Sequence, residues 1–140
     1  TILVSGASGY IASHVIKLLL ERGYKVIGTV RNLANKEKYQ FLYEFNHAKE
    51  NLELREADLT NRECWDSALN GVDSVIHVAS PIPPGVPKDE NDIIKPAVEG
   101  TKNIIEACLK NKIKRLVFTS SCLTVMVRSD GKVANEDDWS

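Results

Sequence analysis

The stretch SGASGYIASHVIKLLLERG, Ser5 to Gly23, spaces Gly6, Gly9 and Ala12 three residues apart, between an apolar run and a helical pattern. Ile2 to Val4 reads as a short buried strand. From about Tyr10 to Arg22, Ile11, Val15, Leu18 and Leu19 recur at three- and four-residue spacings, which makes an apolar stripe on a helix. Gly23 supplies its C-terminal stop. Gly6 permits a tight turn and Gly9 a close backbone approach, while Ala12 lets the helix lie near the strand. N–H groups at the start of such a helix suit the oxygens of a pyrophosphate. Two glycines can also make a plain turn, so the strand before them and the helix after them carry the inference.

The rest of the chain repeats the alternation. Lys25 to Val30 is a strand rich in β-branched residues, and Tyr39, Leu42, Tyr43 and Phe45 suggest a helix beyond a polar connection. Asn51 to Arg55 starts a third strand, and Thr60 is placed to cap a helix over Asn61 to Leu69. Asp73 to Val78 is a fourth strand. PIPPGVP, Pro81 to Pro87, is barred from sheet and helix interiors. A helix over roughly Asn91 to Leu109, interrupted or started by Pro96, precedes a fifth strand at Arg115 to Ser120. Strands alternating with helices predict an α/β fold, a parallel sheet covered by helices.

A chain of 140 residues fits one domain with one substantial core. Its 18 basic and 19 acidic side chains leave a net charge of -1, which favours neither a nucleic-acid nor a membrane surface. Cys64, Cys108 and Cys122 are too few and too scattered for a disulfide framework or a metal motif, so a reducing cytoplasm is the natural setting. The histidines His14, His47 and His77 add no metal-ligand spacing, and no metal is expected. No apolar run is long enough to span a membrane. The chain lacks an initiator methionine, and VANEDDWS, Val133 to Ser140, forms no obvious terminal element, so a fragment is expected.

The end of the second strand lies about 20–25 residues past the glycine turn, where a dinucleotide-binding unit meets the adenosine ribose. An acidic residue there would suit NAD. Arg31 stands there instead, with Lys36 and Lys38 behind it. These cations read either as a solvated basic surface or as partners for the extra phosphate of NADP.

With that turn, Arg31, ADLT, VIHVASP, PAVEGTKNIIEAC and RLVFTSS together, the chain resembles an extended short-chain dehydrogenase/reductase. Within that family it is most similar to the dihydroflavonol and cinnamoyl-CoA reductase group. The resemblance implies a Rossmann-type doubly wound parallel sheet, an NAD(P)-binding domain over residues 1–140 that is incomplete at its C-terminal end. The substrate-binding part would lie beyond 140. It further implies that Gly6, Ser8, Gly9, Tyr10 and Ile11 form the pyrophosphate turn, with Ala12 at a frequent glycine and Ser5 at a frequent threonine. Arg31 and Lys38 match basic positions associated with NADP. Asp58 and Leu59 would lie beside adenine, and Val78, Ala79 and Ser80 along the cofactor. Thr101 would lie behind it on the long helix, and Thr119 and Ser120 would lead to Ser121.

Ser121 matches the family's catalytic serine, whose hydroxyl bonds the substrate carbonyl oxygen. On its residues alone it also reads as a polar strand end. The family's Tyr-x-x-x-Lys pair is absent, since no tyrosine follows Tyr43. It is expected beyond Ser140, so residues 1–140 alone would show little or no reductase activity. The implied parent is an NADPH-dependent reductase of a small-molecule aldehyde or ketone. A nucleotide-sugar epimerase or 3β-hydroxysteroid dehydrogenase-like enzyme stays open, as does a non-enzymatic NADP-binding regulator.

The remaining residues have blander readings. His77 is a strand residue, Cys122 a packed thiol, and Cys64 and Cys108 ordinary helix residues. The proline loop connects elements or forms a substrate lip through Ile82 and Val86. Asp137, Asp138 and Trp139 organise the fold.

Overall fold

A computed structural model describes residues 1–81, 85, 87, 89–126 and 131–138. Its strands are β1 (Ile2–Val4), β2 (Val26–Val30), β3 (Leu52–Glu56), β4 (Ser74–His77) and β5 (Arg115–Phe118). Its helices are α1 (Tyr10–Glu21), α2 (Ala48–Asn51), α3 (Cys64–Ala68), α4 (Asn91–Lys110) and α5 (Leu123–Met126). The five strands form one sheet in the order β3-β2-β1-β4-β5, and every pairing is parallel.

Both faces of the sheet are covered over its central strands β2, β1 and β4, as a parallel sheet requires, while β5 leaves Val117 and Phe118 exposed. Alternate strand residues point to opposite faces, so adjacent Leu3 and Val4 enter different cores. Val4 packs with Ile16 and Leu20 of α1 and with Leu42, and Leu3 packs with Trp65 of α3 and Ile104 and Ala107 of α4. All five residues of β2 are buried. Its centre is Gly28, because a Cβ there would stand 2.8 Å from both Ala7 Cβ and Leu54 Cδ2. The glycine turn, β2 and β3 therefore close on one another without room for a methyl group.

Several local expectations are corrected. The buried face of α1 is Ala12, Ser13, Ile16, Leu19 and Leu20, and of the expected stripe only Leu19 is buried. Two interleaved apolar rows run along this helix, and the row with the small residues packs on the sheet. Tyr39 to Phe45 forms no α-helix. Lys36–Lys38 and Gln40–Glu44 are 3-10 turns closed by i to i+3 bonds, among them Leu42 N–H to Tyr39 O at 2.9 Å. Thr60 does not cap a helix over Asn61–Leu69, and α3 begins only at Cys64. Its hydroxyl is engaged by Asp58 instead. Pro96 neither interrupts nor starts α4, which runs through it. β5 ends at Phe118, and Thr119 N–H makes a final bond to His77 O at 3.0 Å.

Candidate functional site

The carboxyl ends of the strands gather most of the residues singled out by sequence. Gly6, Ser8 and Gly9 follow β1, Arg31 follows β2, Asp58 and Leu59 follow β3, Val78 to Ser80 follow β4, and Thr119 to Ser121 follow β5. In an open α/β sheet, ligands bind at this edge where the strand order reverses. Here the reversal lies between β1 and β4.

At that reversal Gly6 has φ +69°, a conformation that disfavours side chains, and a Cβ on it would meet Ala79 Cβ at 3.1 Å. Gly9 N–H closes the turn on Gly6 O at 2.8 Å, and Gly9 then caps α1 without a side-chain bond. The first N–H groups of α1 are left for a ligand. Tyr10 and Ile11 begin the helix with their side chains 81% and 56% exposed.

Ser5 ties the turn to β4. The Ser5 Oγ accepts Val78 N–H at 2.9 Å and Ala79 N–H at 3.0 Å, which occupies both lone pairs. Its single proton therefore goes to His77 Nδ1, 2.9 Å away. Both side chains are buried, Ser5 wholly and His77 to within 3%. His77 is thus a neutral ring with its own proton on Nε2, set between Trp65 and Phe118. Because their N–H groups are used by Ser5, Val78 and Ala79 can offer a ligand only carbonyls and side chains.

Burial lowers the His77 pKa from 6.5 to about 4. The unfolded chain binds this proton first, so stability is full above about pH 6.5 and falls as pH drops toward 4. Urea unfolding across that range is expected to show a loss of roughly 3 kcal/mol from this group. The His77→Asn variant should lack that part of the slope. An unchanged slope in the variant would show that His77 titrates normally.

Beyond β2, Ser8 from the first turn meets Arg31, Asn32, Asn35, Lys38 and Tyr39 around an open pocket of about 260 Å³. Neither Arg31 nor Lys38 makes an ion pair among the described residues. The loop is held in place by Leu33 N–H to Glu56 Oε1 at 2.7 Å and by Tyr39 OH to Leu33 O at 2.6 Å. Asn32, Asn35 and Tyr39 escaped the sequence reading. Along the chain their only signal is that they follow Arg31 within a few residues, and Tyr39 falls in a helical apolar pattern. A cavity of about 290 Å³ lies at the opposite end of the sheet, beside Lys25, Glu53 and Arg55, remote from all of these residues.

After β3, Asp58 Oδ1 accepts the hydroxyl and the N–H of Thr60 at 2.7 and 2.8 Å. These two bonds, followed by the nearby Arg31 charge, hold the Asp58 carboxyl below its ordinary pKa despite partial burial. After β5, Ser121 is exposed, and its Oγ accepts Leu123 N–H at 3.2 Å as the one-turn helix α5 begins. That bond leaves the hydroxyl proton free to donate outward. Cys122 is exposed rather than packed, because it sits in the same turn. Thr101 lies mid-way along α4, and the residues joined to the Asp58–Leu59 turn are its neighbours Gly100 and Asn103. Ile82, Val86 and Trp139 lie outside the described residues.

A parallel sheet in this order, with a glycine turn at its reversal and a helix starting there, is a Rossmann-type dinucleotide-binding fold. The model of the NAD dependent epimerase/dehydratase family matches residues 2–136, and the chain belongs to that family. It is 46% identical to tetraketide alpha-pyrone reductase 2 of Arabidopsis thaliana, over 99% of this chain and 45% of the relative. It is also 46% identical to the dihydroflavonol 4-reductase of Arabidopsis thaliana, over 100% of this chain and 37% of that protein. Among solved structures, alfalfa vestitone reductase superposes with a TM-score of 0.80 at 34% identity, over 99% of this chain and 42% of the other. The yeast methylglyoxal/isovaleraldehyde reductase complexed with NADPH gives a TM-score of 0.82 at 32% identity, over 99% and 43%. The chain thus spans less than half the length of the relatives it matches. Among the described residues, no helix is long and apolar enough to cross a membrane.

Proposed function

We propose that the protein carrying this chain is an NADPH-dependent reductase of an aldehyde or ketone, similar to the dihydroflavonol, cinnamoyl-CoA and aldehyde reductases. The observation that carries the reading is the pocket where Arg31 and Lys38 meet Ser8 beside the glycine turn. Its cations suit a ribose phosphate next to a pyrophosphate. Three free thiols suit a reducing compartment such as the cytoplasm.

The donor set fits the cofactor. The first N–H groups of α1, reached past Gly6, Ser8 and Gly9, hold the pyrophosphate oxygens, and Tyr10 and Ile11 carry two of them. Arg31 and Lys38 hold the extra phosphate. Asp58 accepts the adenine amine, with Leu59 against the ring. Val78, Ala79 and Ser80 flank the cofactor, and Thr101 backs it from α4. Bound NADPH supplies the hydride. Thr119 and Ser120 lead the chain to Ser121, whose hydroxyl donates to the substrate carbonyl oxygen and fixes the carbon's position. The proton comes from the tyrosine of a Tyr-x-x-x-Lys pair placed beyond Ser140, whose lysine stabilises the tyrosinate.

NADPH consumption by the full-length protein against a panel of aldehydes and ketones tests the reading. Cofactor binding without turnover of any carbonyl would favour a binding protein instead. The Arg31→Ala variant is expected to raise the NADPH Kd about 10- to 100-fold, the worth of a charge-assisted bond, with the NADH Kd within about twofold. Equal losses for both cofactors would place Arg31 outside the phosphate site.

A further inference from the structure

The turn after β3 is held by side chains from two helices, α3 a few residues downstream and α4, whose contact residue lies 44 positions from Leu59. The Trp65 indole N–H of α3 donates to Asp58 O at 3.1 Å. The Asn103 amide of α4 donates to the next carbonyl, Leu59 O, at 2.8 Å. Two consecutive carbonyls are thereby fixed from different directions. Thr60 orients the Asp58 carboxylate through two bonds to Oδ1, and among the described residues Oδ2 makes no hydrogen bond.

Asn103 reaches the turn because α4 comes unusually close. A Cβ at Gly100, one helical turn earlier, would stand 3.1 Å from Leu59 Cβ. Glycine and asparagine are both poor helix formers, and both sit within this helix on the side that meets Leu59. The helix carries them where it touches one loop. Packing alone would need only the glycine. Asp58's own N–H and carbonyl are held within the turn by Cys64, Asn61 and Trp65, and the amide adds a directional bond to the next peptide, whose Thr60 N–H is one of the two donors that orient the Asp58 carboxylate.

We propose that Asn103 is a positioning residue for the adenine end of the cofactor. It touches no cofactor atom and acts by holding Asp58 and Leu59 in the orientation that presents Oδ2 and the leucine side chain. This rests on Asp58 and Leu59 forming the adenine subsite.

The test uses the full-length protein and two probes, 2′,5′-ADP for the adenosine half of the cofactor and reduced nicotinamide mononucleotide for the other half. Calorimetric titration compares Asn103→Asp, of equal size without the donor, Asn103→Leu and Asp58→Ala. Both Asn103 variants are expected to raise the 2′,5′-ADP Kd about tenfold and to leave the nicotinamide half within twofold. A general loosening of the protein would weaken both halves alike and would overturn the positioning role. Unchanged 2′,5′-ADP binding in both Asn103 variants, with weakened binding in Asp58→Ala, would overturn it while sparing the adenine subsite. Unchanged binding in Asp58→Ala would remove the subsite itself, and the inference with it.

Discussion

Replacing Ser5 by alanine is expected to lower the unfolding free energy by about 3 kcal/mol, measured by urea titration at neutral pH. One oxygen is lost, but three groups lose their partner: the N–H of Val78, the N–H of Ala79 and the Nδ1 of His77. The His77 ring is buried and the two N–H groups are partly buried, and each unsatisfied buried group costs about 1–3 kcal/mol before relaxation. The same bonds hold the end of β4 against the glycine turn, so NADPH affinity should fall with stability. Ser5→Thr keeps the hydroxyl and should recover most of both. A Ser5→Ala protein within about 1 kcal/mol of the parent would mean that the strand ends are held by packing, as at Gly6 against Ala79, and not by this hydroxyl.

The second large effect is on turnover. Ser121→Ala in the full-length protein should reduce kcat by about 10²- to 10³-fold, the usual loss when one donor to a developing oxyanion is removed. Cofactor affinity should stay within about twofold. The hydroxyl already accepts Leu123 N–H, which polarises it and leaves its proton for the substrate oxygen. Stopped-flow measurement of the hydride step would separate chemistry from product release. Undiminished turnover would remove Ser121 from the mechanism, and an equal fall in NADPH affinity would make its role one of cofactor binding.

Much of this layout is legible in the chain itself. Five strands and the long helix fall close to where apolar runs and periodicity place them, because those signals are local. The turn at Gly6 is legible for the same reason. Only glycine enters a positive φ cheaply, and a strand precedes it. Local signals fail where two patterns compete. Both rows of α1 are apolar, so periodicity cannot say that Ala12, Ile16 and Leu20 face the sheet while Ile11 and Leu18 do not. Thr60 has the chemistry of a helix cap, yet Asp58 two residues earlier takes its hydroxyl.

The alternation of elements, the glycine turn and the cation at Arg31 are properties of neighbouring residues, and they suffice for a dinucleotide-binding sheet. Which distant residues meet is another matter. His77 reads along the chain as an ordinary strand residue, and it becomes a neutral partner of Ser5 only because β1 and β4, 72 positions apart, lie side by side. Asn103 reads as one polar residue of a helix until α4 crosses the sheet and meets Leu59. Strand order and helix crossing set these encounters, and they are resolved by burying both faces of the sheet at once, a condition that no short window of sequence contains.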